Sequence, residues 1–369
     1  MRGTRWLIGL ALALSGGLGL APRATGQEPP PRPKPPLEVV TPVAPPFQYD
    51  QHDLRKLDAE TLRENAWAAY ENNDFFVGVQ FQHWAVQKDG EGRYNLACFH
   101  ARTGALEAAI YWLQQAALEE GVDAAWAKED QDLQDVRRDP RWEKLHAFFL
   151  EASEWWANSG RKETLLLLPQ GYQPGTPLGA LVGLHGRGSR PQDFADPEDW
   201  QHHADRLGIA IVGVSATRPT GPHGYVWAGE PAADFARLQA ALEELAPRVG
   251  LDPARTVLIG FSQGAQVALE QAARHPELFA GAIALSPGGT CRLQELEPSE
   301  ALAERGFVIS VGAHEDESFV ALAAQDRDQL KRLGARVQHL VPAQEAHAFP
   351  QDLADRLGEW HQFASLRKP

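Results

Sequence analysis

Apolar residues recur at two different spacings along the 369-residue chain. From about Asp53 to Glu151 they recur at helical spacing, in a stretch rich in Ala, Leu, Glu, Gln and Trp. From Lys162 onward, short continuous apolar runs alternate with helical segments. The first pattern predicts an all-α domain. The second predicts βα units and a mainly parallel sheet that is covered on both faces.

The alternating part is predicted to hold strands and helices in regular succession. The predicted strands are Thr164–Leu168, Ala180–Leu184, Ala210–Val214, Thr256–Ile259, Ala282–Leu285, Phe307–Val311 and Val337–Val341. The predicted helices are Pro191–Leu207, Pro231–Val249, Gln263–Arg274, Glu297–Glu304, Phe319–Leu333 and Pro350–Phe363.

The helical part contains two helix pairs that recur at about 34 residues, the period of tetratricopeptide repeats. The second pair, YNLACFHARTGALEAAIYWLQQAALEEG, is followed by DAAWAKEDQDLQDVRRDPRWEKL. Both segments resemble the terminal tetratricopeptide unit of many bacterial proteins, whereas the first pair is degenerate. The region is expected to be a helical surface that either packs on the rest of the chain or binds another protein. A generic helical bundle is the alternative.

The N-terminus has the features of an export signal. Arg2 and Arg5 precede an apolar run, Trp6–Leu20, and small residues follow at Ala24–Gly26. This arrangement predicts a signal peptide over residues 1–26, and hence an exported protein that is periplasmic or secreted. An uncleaved anchor is the alternative, but the run is short for a membrane span. We therefore expect no stable membrane anchor.

A proline-dense stretch follows the signal, and it predicts an extended linker over residues 27–52. A ligand for a proline-binding module is the alternative interpretation of this stretch. The predicted domains are then a helical, tetratricopeptide-like domain over 53–158 and the alternating α/β domain over 159–369.

Charge and cysteine content exclude several classes of protein. The formal net charge of −14 argues against a nucleic-acid partner, because such proteins need a basic face for phosphates. There are two cysteines, Cys98 and Cys291, in different predicted domains, and two are too few for a disulfide framework or a thiolate metal cluster. We expect no metal and no cofactor.

The strongest chemical signal is Gly260-Phe261-Ser262-Gln263-Gly264, which follows the apolar run TVLI and precedes the helix AQVALEQAARH. A serine between a strand end and a helix start lies on a sharp turn that holds its hydroxyl at the carboxyl edge of the sheet. The flanking glycines permit the turn and the close approach of helix and strand. The pattern predicts that Ser262 is a nucleophile.

A serine nucleophile needs a base, and the base an orienting acid, in the chain order serine, acid, histidine. His347 lies between the last predicted strand and the last helix, so we interpret it as the base; His339 within the strand and His361 late in the helix are weaker candidates. Strand FVISV ends in GAHED. Enzymes with this chain order usually place an aspartate shortly after a glycine at this strand end. By that spacing Glu315 occupies the expected position, but Asp316 has the expected side chain, and we favour Asp316.

An oxyanion hole needs two backbone N–H donors. We predict one from Gln263, directly after the nucleophile, where the helix dipole also favours negative charge. The other is predicted from Arg187, with Gly188 as the alternative, in the loop His185-Gly186-Arg187-Gly188 after the strand ALVGL.

The segments LHGRG, GFSQGAQVAL, ALSPGG, GAHED and AHAFP resemble the phospholipase/carboxylesterase branch of the α/β-hydrolases, and also feruloyl-esterase and polyhydroxybutyrate-depolymerase-like proteins. The resemblance covers about residues 160–369. It implies an α/β-hydrolase fold that acts on short or medium acyl esters without metal or cofactor. It also implies that Trp227 lines the acyl site, although a core position fits Trp227 equally well. His185 is a candidate substrate-binding residue, and a structural role is the stronger interpretation.

The combined reading is a serine hydrolase that cleaves a small-molecule carboxylic ester, with short or medium acyl or aryl groups, through an acyl-enzyme. A peptidase or amidase on the same fold is one alternative, because fold alone does not set the substrate. A non-catalytic envelope adaptor that binds a protein partner through the helical repeats is the other.

Export predicts a defined mature N-terminus. When the sequence is expressed from Met1 in a bacterial host, the protein is expected to accumulate outside the cytoplasm. Its intact mass, measured by mass spectrometry, should be that of a chain whose first residue is Gln27. Replacing Ala24 and Gly26 with bulky residues should block cleavage. Recovery of the uncleaved mass from the cytoplasm for the unaltered chain would contradict the assignment.

Overall fold

The computed structural model describes residues 31–289 and 291–365, and these form two compact units. One unit consists of Arg161–Arg218 with the chain from Tyr225 onward, and the other of the chain up to Gly160 with Pro219–Gly224. The predicted signal peptide, residues 1–26, lies outside the described residues. No helix in the described ranges is both long and apolar enough to cross a bilayer.

The helical unit begins with two short strands and continues as helices. Its elements are β1 (Gln48–Tyr49), β2 (His52–Asp53), α1 (Ala59–Glu71), α2 (Phe75–Asp89), α3 (Arg93–Arg102), α4 (Leu106–Glu119), α5 (Ala124–Glu129), α6 (Gln134–Arg138) and α7 (Trp142–Ala157). Asp58 caps α1 by accepting the Thr61 N–H, and Gly90 ends α2 in the left-handed conformation that glycine tolerates. Helix α1 packs on α2 and α3 on α4.

The proline-rich stretch is not a free spacer over its described part, residues 31–46. Leu37 and Val39 pack against the core of the helical unit, and Pro33 is buried. The backbone of Leu37 is hydrogen-bonded at both its N–H and its C=O to the side-chain amide of Gln114 on α4. We call residues 31–46 the N-terminal strap. The predicted linker is extended over these residues, but it is not separate from the helical core, because the prediction weighed the prolines and overlooked the aliphatic side chains of Leu37 and Val39.

The other unit is built on a seven-stranded sheet. Its strands are β3 (Thr164–Leu167), β4 (Leu178–Leu184), β5 (Ala210–Val214), β8 (Leu251–Phe261), β9 (Gly281–Leu285), β10 (Gly306–Ser310) and β11 (Arg336–Leu340), with short strands β6 (Arg218–Pro219) and β7 (Tyr225–Val226) outside it. The spatial order is β11-β10-β9-β8-β4-β5-β3. Every pairing is parallel except that of β3 with β5.

Helices cover both faces of this sheet, and two apolar clusters lie beneath them. The helices are α8 (Pro191–Phe194), α9 (Pro197–Leu207), α10 (Pro231–Leu245), α11 (Gln263–Arg274), α12 (Glu300–Ala303), α13 (Glu317–Arg332) and α14 (Leu353–Ala364). Helices α10, α11 and α13 contribute to one cluster, and α8, α9 and α14 to the other. The continuous burial of strands such as β5 and β9 follows from this double coverage.

Most predicted strands and helices are present, with two differences of note. The predicted helix Pro191–Leu207 is broken into α8 and α9 because Pro197 disfavours helical geometry at Asp196, whose side chain instead caps α9. Helix α12 covers four residues rather than the predicted Glu297–Glu304.

His185, at the end of β4, is a buried titratable group. It is 1% exposed, accepts the Ala216 N–H at Nε2 (2.9 Å), and its Nδ1 donates to the Gly186 carbonyl (2.7 Å). Both contacts fit a neutral ring, and burial lowers the pKa of His185 to about 4.

The fold should therefore lose stability in mild acid. The unfolded chain takes up the proton near pH 6.5 and the folded chain only near pH 4, so the contribution is complete above pH 6.5 and is lost as the pH falls towards 4. The loss is about 3 kcal/mol. His185→Gln should reduce the pH dependence of denaturant unfolding between pH 7 and 4.5 relative to the parent chain. Equal pH dependence in His185→Gln and the parent would contradict this account.

Candidate active site

Ser262 occupies the sharp turn between β8 and α11. Its backbone angles, φ 53° and ψ −119°, lie where few residues other than glycine are found. The turn is possible because the flanking glycines leave room. A Cβ on Gly260 would lie 2.2 Å from the Gly264 carbonyl oxygen, and one on Gly264 would lie 2.1 Å from the Leu184 carbonyl oxygen. Ser262 is thus held at the carboxyl edge of the sheet by close backbone packing.

The sheet topology places this turn at a crevice. Strand β4 lies between β5 and β8, so the chain runs to one side of β4 and then returns to the other. The carboxyl ends of β4 and β8 flank the point where the strand order reverses, which is where open α/β sheets bind ligands. The loop after β4 passes beside the nucleophile, since a Cβ on Gly186 would lie 3.5 Å from the Ser262 Cβ.

Three side chains form a continuous hydrogen-bonded line. The His347 Nε2 lies 3.0 Å from the Ser262 Oγ, and the His347 Nδ1 lies 2.7 Å from the Glu315 Oε2. The Glu315 side chain is fully buried, and its second oxygen accepts the Gly312 N–H at 2.8 Å. In this arrangement Nδ1–H donates to the carboxylate and Nε2 accepts the hydroxyl proton, so the serine, base and acid are aligned.

Backbone contacts between two loops bring the acid and the base together. After β10, the Ala313 N–H donates to the Pro342 carbonyl and the His314 N–H to the Glu345 carbonyl, each at 2.9 Å. A Cβ on Gly312 would lie 2.3 Å from the Glu345 carbonyl oxygen, so only glycine allows this approach. The loop that carries Glu315 is therefore pinned to the loop that carries His347.

The preference for Asp316 over Glu315 as the acid was wrong. Asp316 is exposed, and its carboxylate accepts hydrogen bonds from the N–H (2.8 Å) and hydroxyl (2.5 Å) of Ser318 at the start of α13. These hydrogen bonds lower the pKa of Asp316. Asp316 is thus engaged at the N-terminus of α13, and Glu315 is the carboxylate that contacts the imidazole. The capping pattern Asp-x-Ser before a helix was the overlooked signal.

Among the predicted oxyanion donors, Gln263 and Gly188 differ in their backbone contacts. The Gln263 N–H, at the first turn of α11, has no acceptor within residues 31–289 and 291–365. The alternative donor, Gly188, is committed elsewhere, because its N–H donates to the Tyr225 carbonyl at 2.8 Å. Arg187 stays the candidate for the second donor, in the loop that passes beside Ser262.

His185 and Trp227 belong to the scaffold rather than to a substrate pocket. They are 1% and 2% exposed, and the Trp227 indole N–H donates to the His185 carbonyl at 3.0 Å. The side-chain amide of Gln263 also pairs with both the N–H and the C=O of Trp227, at 3.1 Å each. Trp227 is thus a core residue that anchors the nucleophile turn. Because both side chains are covered, the structure favours the core interpretation of Trp227 and the structural interpretation of His185 over substrate binding.

A group of phenylalanines, not predicted from the sequence motifs, lies around the base. The Phe261 and Phe319 rings lie 5.0 and 5.8 Å from the His347 ring, and the Phe349 ring lies 4.9 Å from that of Phe261. Phe319 is buried, whereas Phe349 is 37% exposed. Phe261 and Phe349 lie within the quoted GFSQG and AHAFP segments, so adjacency to the two catalytic candidates was the available signal.

One group of side chains has the composition of a metal site. Ligand atoms of Cys98, Asp130 and Asp132, in the helical unit, lie within 4.8 Å of one another. Hydrogen-bond donors already satisfy the carboxylates: Tyr94 donates to Asp130, and Arg102 to Asp132. Burial and the nearby Asp130 also raise the pKa of the Cys98 thiol, which disfavours the thiolate. We interpret the group as a hydrogen-bonded cluster within the helical core.

Two family models match the unit that carries this site. Residues 159–292 match the family described as "Putative esterase", and residues 234–351 match "Phospholipase/Carboxylesterase". Among curated proteins, "Putative esterase NocK" of Nocardia uniformis subsp. tsuyamanensis is 34% identical over 115 residues. That match covers 30% of this chain and 33% of NocK, so the chain spans about a third of the length of this relative.

Solved structures similar to the chain include two esterases. The crystal structure of esterase PE8 is 23% identical, covers 55% of this chain and 99% of its own, and has a TM-score of 0.44. The Bacillus cereus carboxylesterase is 16% identical and covers 57% and 99%, also with a TM-score of 0.44. The two family matches lie on the part of the chain that forms the seven-stranded sheet and its nucleophile turn, so this unit is similar to esterases over residues 159–351.

Proposed function

We propose that the chain is a serine esterase in which Ser262 is the nucleophile, His347 the general base and Glu315 the acid that orients it. The observation that carries the proposal is the hydrogen-bonded line from the Glu315 Oε2 through His347 to the Ser262 Oγ, at 2.7 and 3.0 Å. A buried carboxylate on one side of an imidazole and a serine on the other is the arrangement that activates a hydroxyl.

In the first step the Ser262 oxygen attacks the ester carbonyl carbon while His347 Nε2 takes the hydroxyl proton. The buried Glu315 carboxylate stabilises the resulting imidazolium through Nδ1–H. Negative charge develops on the former carbonyl oxygen, and we assign its stabilisation to the backbone N–H groups of Gln263 and Arg187. The imidazolium then protonates the departing alkoxide, which leaves an acyl group on Ser262.

In the second step His347 takes a proton from water, and the hydroxide formed attacks the acyl carbon. Collapse of the second tetrahedral intermediate breaks the bond to the Ser262 oxygen, which recovers its proton from the imidazolium. The products are a carboxylic acid and an alcohol. The ester linkage is the proposed target because the matched families are esterases and carboxylesterases.

We propose short or medium acyl or aryl esters as substrates. Phe349 is the most exposed member of the phenylalanine group around His347, and its ring packs on both Phe261 (4.9 Å) and Phe194 (5.5 Å). This exposed ring, packed on the Phe261 ring that contacts His347, offers an apolar surface for the group that flanks the scissile bond. Export of the enzyme to the periplasm or medium is part of the same proposal.

The identity of the acid can be tested with a pair of neighbouring substitutions. Glu315→Gln should lower kcat for p-nitrophenyl acetate by on the order of 10³–10⁴-fold, because an amide cannot stabilise the imidazolium. Asp316→Asn should keep kcat within about twofold, since asparagine caps a helix as well as aspartate does. Ser262→Ala defines the background rate, and circular dichroism confirms the fold of each variant. A larger loss in Asp316→Asn than in Glu315→Gln would contradict the assignment.

The role of Phe349 can be tested with a substrate panel. Phe349→Ala should raise KM for naphthyl and butyryl esters about fivefold, from lost ring contact, and change KM for acetyl esters little. Phe76→Ala, at a side chain that is 75% exposed on α2, is the matched control. A uniform change in KM across the panel would contradict a contact between Phe349 and the substrate.

The same panel can include the anilides that match these esters. Faster turnover of the anilides than of the esters would favour an amidase.

A further inference from the structure

The N-terminal strap lies against a face of the helical unit that consists of α2 and α4. Gln114 on α4 accepts the Leu37 N–H at 2.9 Å and donates to the Leu37 carbonyl at 3.1 Å. One side-chain amide thus pairs with both backbone groups of one strap residue, as a neighbouring strand would. Gln114 is only 2% exposed, so its amide is committed to this backbone contact.

At the Pro46 end, too, the helices contact the backbone of the strap, whereas Arg32 is held through its side chain. Gln80 and Trp84, both on α2, donate to the Pro46 carbonyl at 2.7 and 3.2 Å. At the other end, Arg32 donates to the Leu118 carbonyl (2.6 Å) and pairs with Glu119 (2.8 Å). The contacts at Leu37 and Pro46 are hydrogen bonds to main-chain groups. Extended peptides of other sequences could therefore make the same contacts.

The proline content of the strap favours its binding to the face formed by α2 and α4. Seven of its sixteen residues are prolines, and the strap forms neither helix nor strand. Proline fixes φ and favours an extended chain, so a segment of this kind loses little conformational entropy when it binds. Val40 and Val43 of the strap are 80% and 93% exposed, so parts of it contribute no apolar burial.

The strap does not fill the face completely. A cavity of about 250 Å³ remains between Pro42 of the strap and side chains of α2 and α4, including His83, Trp84 and Trp112. The indole N–H of Trp112 is buried without an acceptor among the described residues. A resident segment that leaves a cavity and an unsatisfied donor is one that a better-fitting segment can replace.

We propose that the α2–α4 face is a binding site for extended, proline-rich peptide segments, and that the chain's own strap occupies it in cis. A partner protein that presents such a segment binds by displacing the strap. The tether gives the strap a high effective concentration at the site, of order millimolar, so the strap acts as an intramolecular competitor.

The experiment uses a fluorescein-labelled peptide of residues 31–46, PRPKPPLEVVTPVAPP, and a chain that begins at Phe47. We expect the peptide to bind this shortened chain at least tenfold more tightly than it binds the chain that begins at Gln27, because the strap blocks the site in the latter. In the shortened chain, Gln114→Ala should weaken binding about tenfold, since two hydrogen bonds are lost. A peptide with Leu37→Pro, which lacks the N–H that Gln114 accepts, should be weakened as well.

The matched control is Gln115→Ala, at the next residue of α4, which has no hydrogen bond to the strap in the described ranges and should bind like the parent. Absence of binding to a shortened chain with an intact circular dichroism spectrum would overturn the proposal, as would equal affinities for Gln114→Ala and Gln115→Ala. If the shortened chain does not fold, hydrogen exchange of the Leu37 amide in the chain from Gln27 decides. It should be at least tenfold faster in Gln114→Ala than in Gln115→Ala, and equal rates would overturn the proposal.

Discussion

The chemistry proposed for this chain depends on the hydrogen-bonded line that joins the Glu315 carboxylate, the His347 ring and the Ser262 hydroxyl. The three side chains follow three different strands, and none can act without the other two. A buried carboxylate is costly unless hydrogen bonds satisfy it. Glu315 meets this requirement with the Gly312 N–H on one oxygen and the imidazole on the other. The acid is thereby fixed in the one orientation that serves the base.

The remainder of that unit can be understood as the means of holding this line. Glycines do so through close backbone contacts: Gly260 and Gly264 at the nucleophile turn, and Gly312 between the two loops that carry the acid and the base. Buried polar side chains do so through paired hydrogen bonds, as when Gln263 takes both backbone groups of Trp227. Strain at Ser262, with its positive φ, persists because these neighbours determine the turn.

The local sequence pattern was enough to predict the strands of the sheet and the turn at Ser262. The apolar runs predicted every strand of the large sheet, and the glycine-flanked serine predicted the turn at its edge. The choice between Glu315 and Asp316 failed because two demands compete for adjacent carboxylates, and helix capping takes Asp316. Trp227 could not be assigned from its segment alone, since burial depends on chain that is remote in sequence. The packing of the strap on the helical unit was not predicted, because Gln114, which binds the Leu37 backbone, lies 77 residues away in sequence.

The most direct test of the central claim is to find which atom an electrophile modifies. A fluorophosphonate reacts with a serine only when a base activates it, and trypsin should release Ser262 in the peptide TVLIGFSQGAQVALEQAAR, where it is the sole serine. The account predicts one adduct per chain, located in this peptide, and strong loss of labelling in His347→Ala. Native protein that takes up no probe, or takes it up on another peptide, would contradict it.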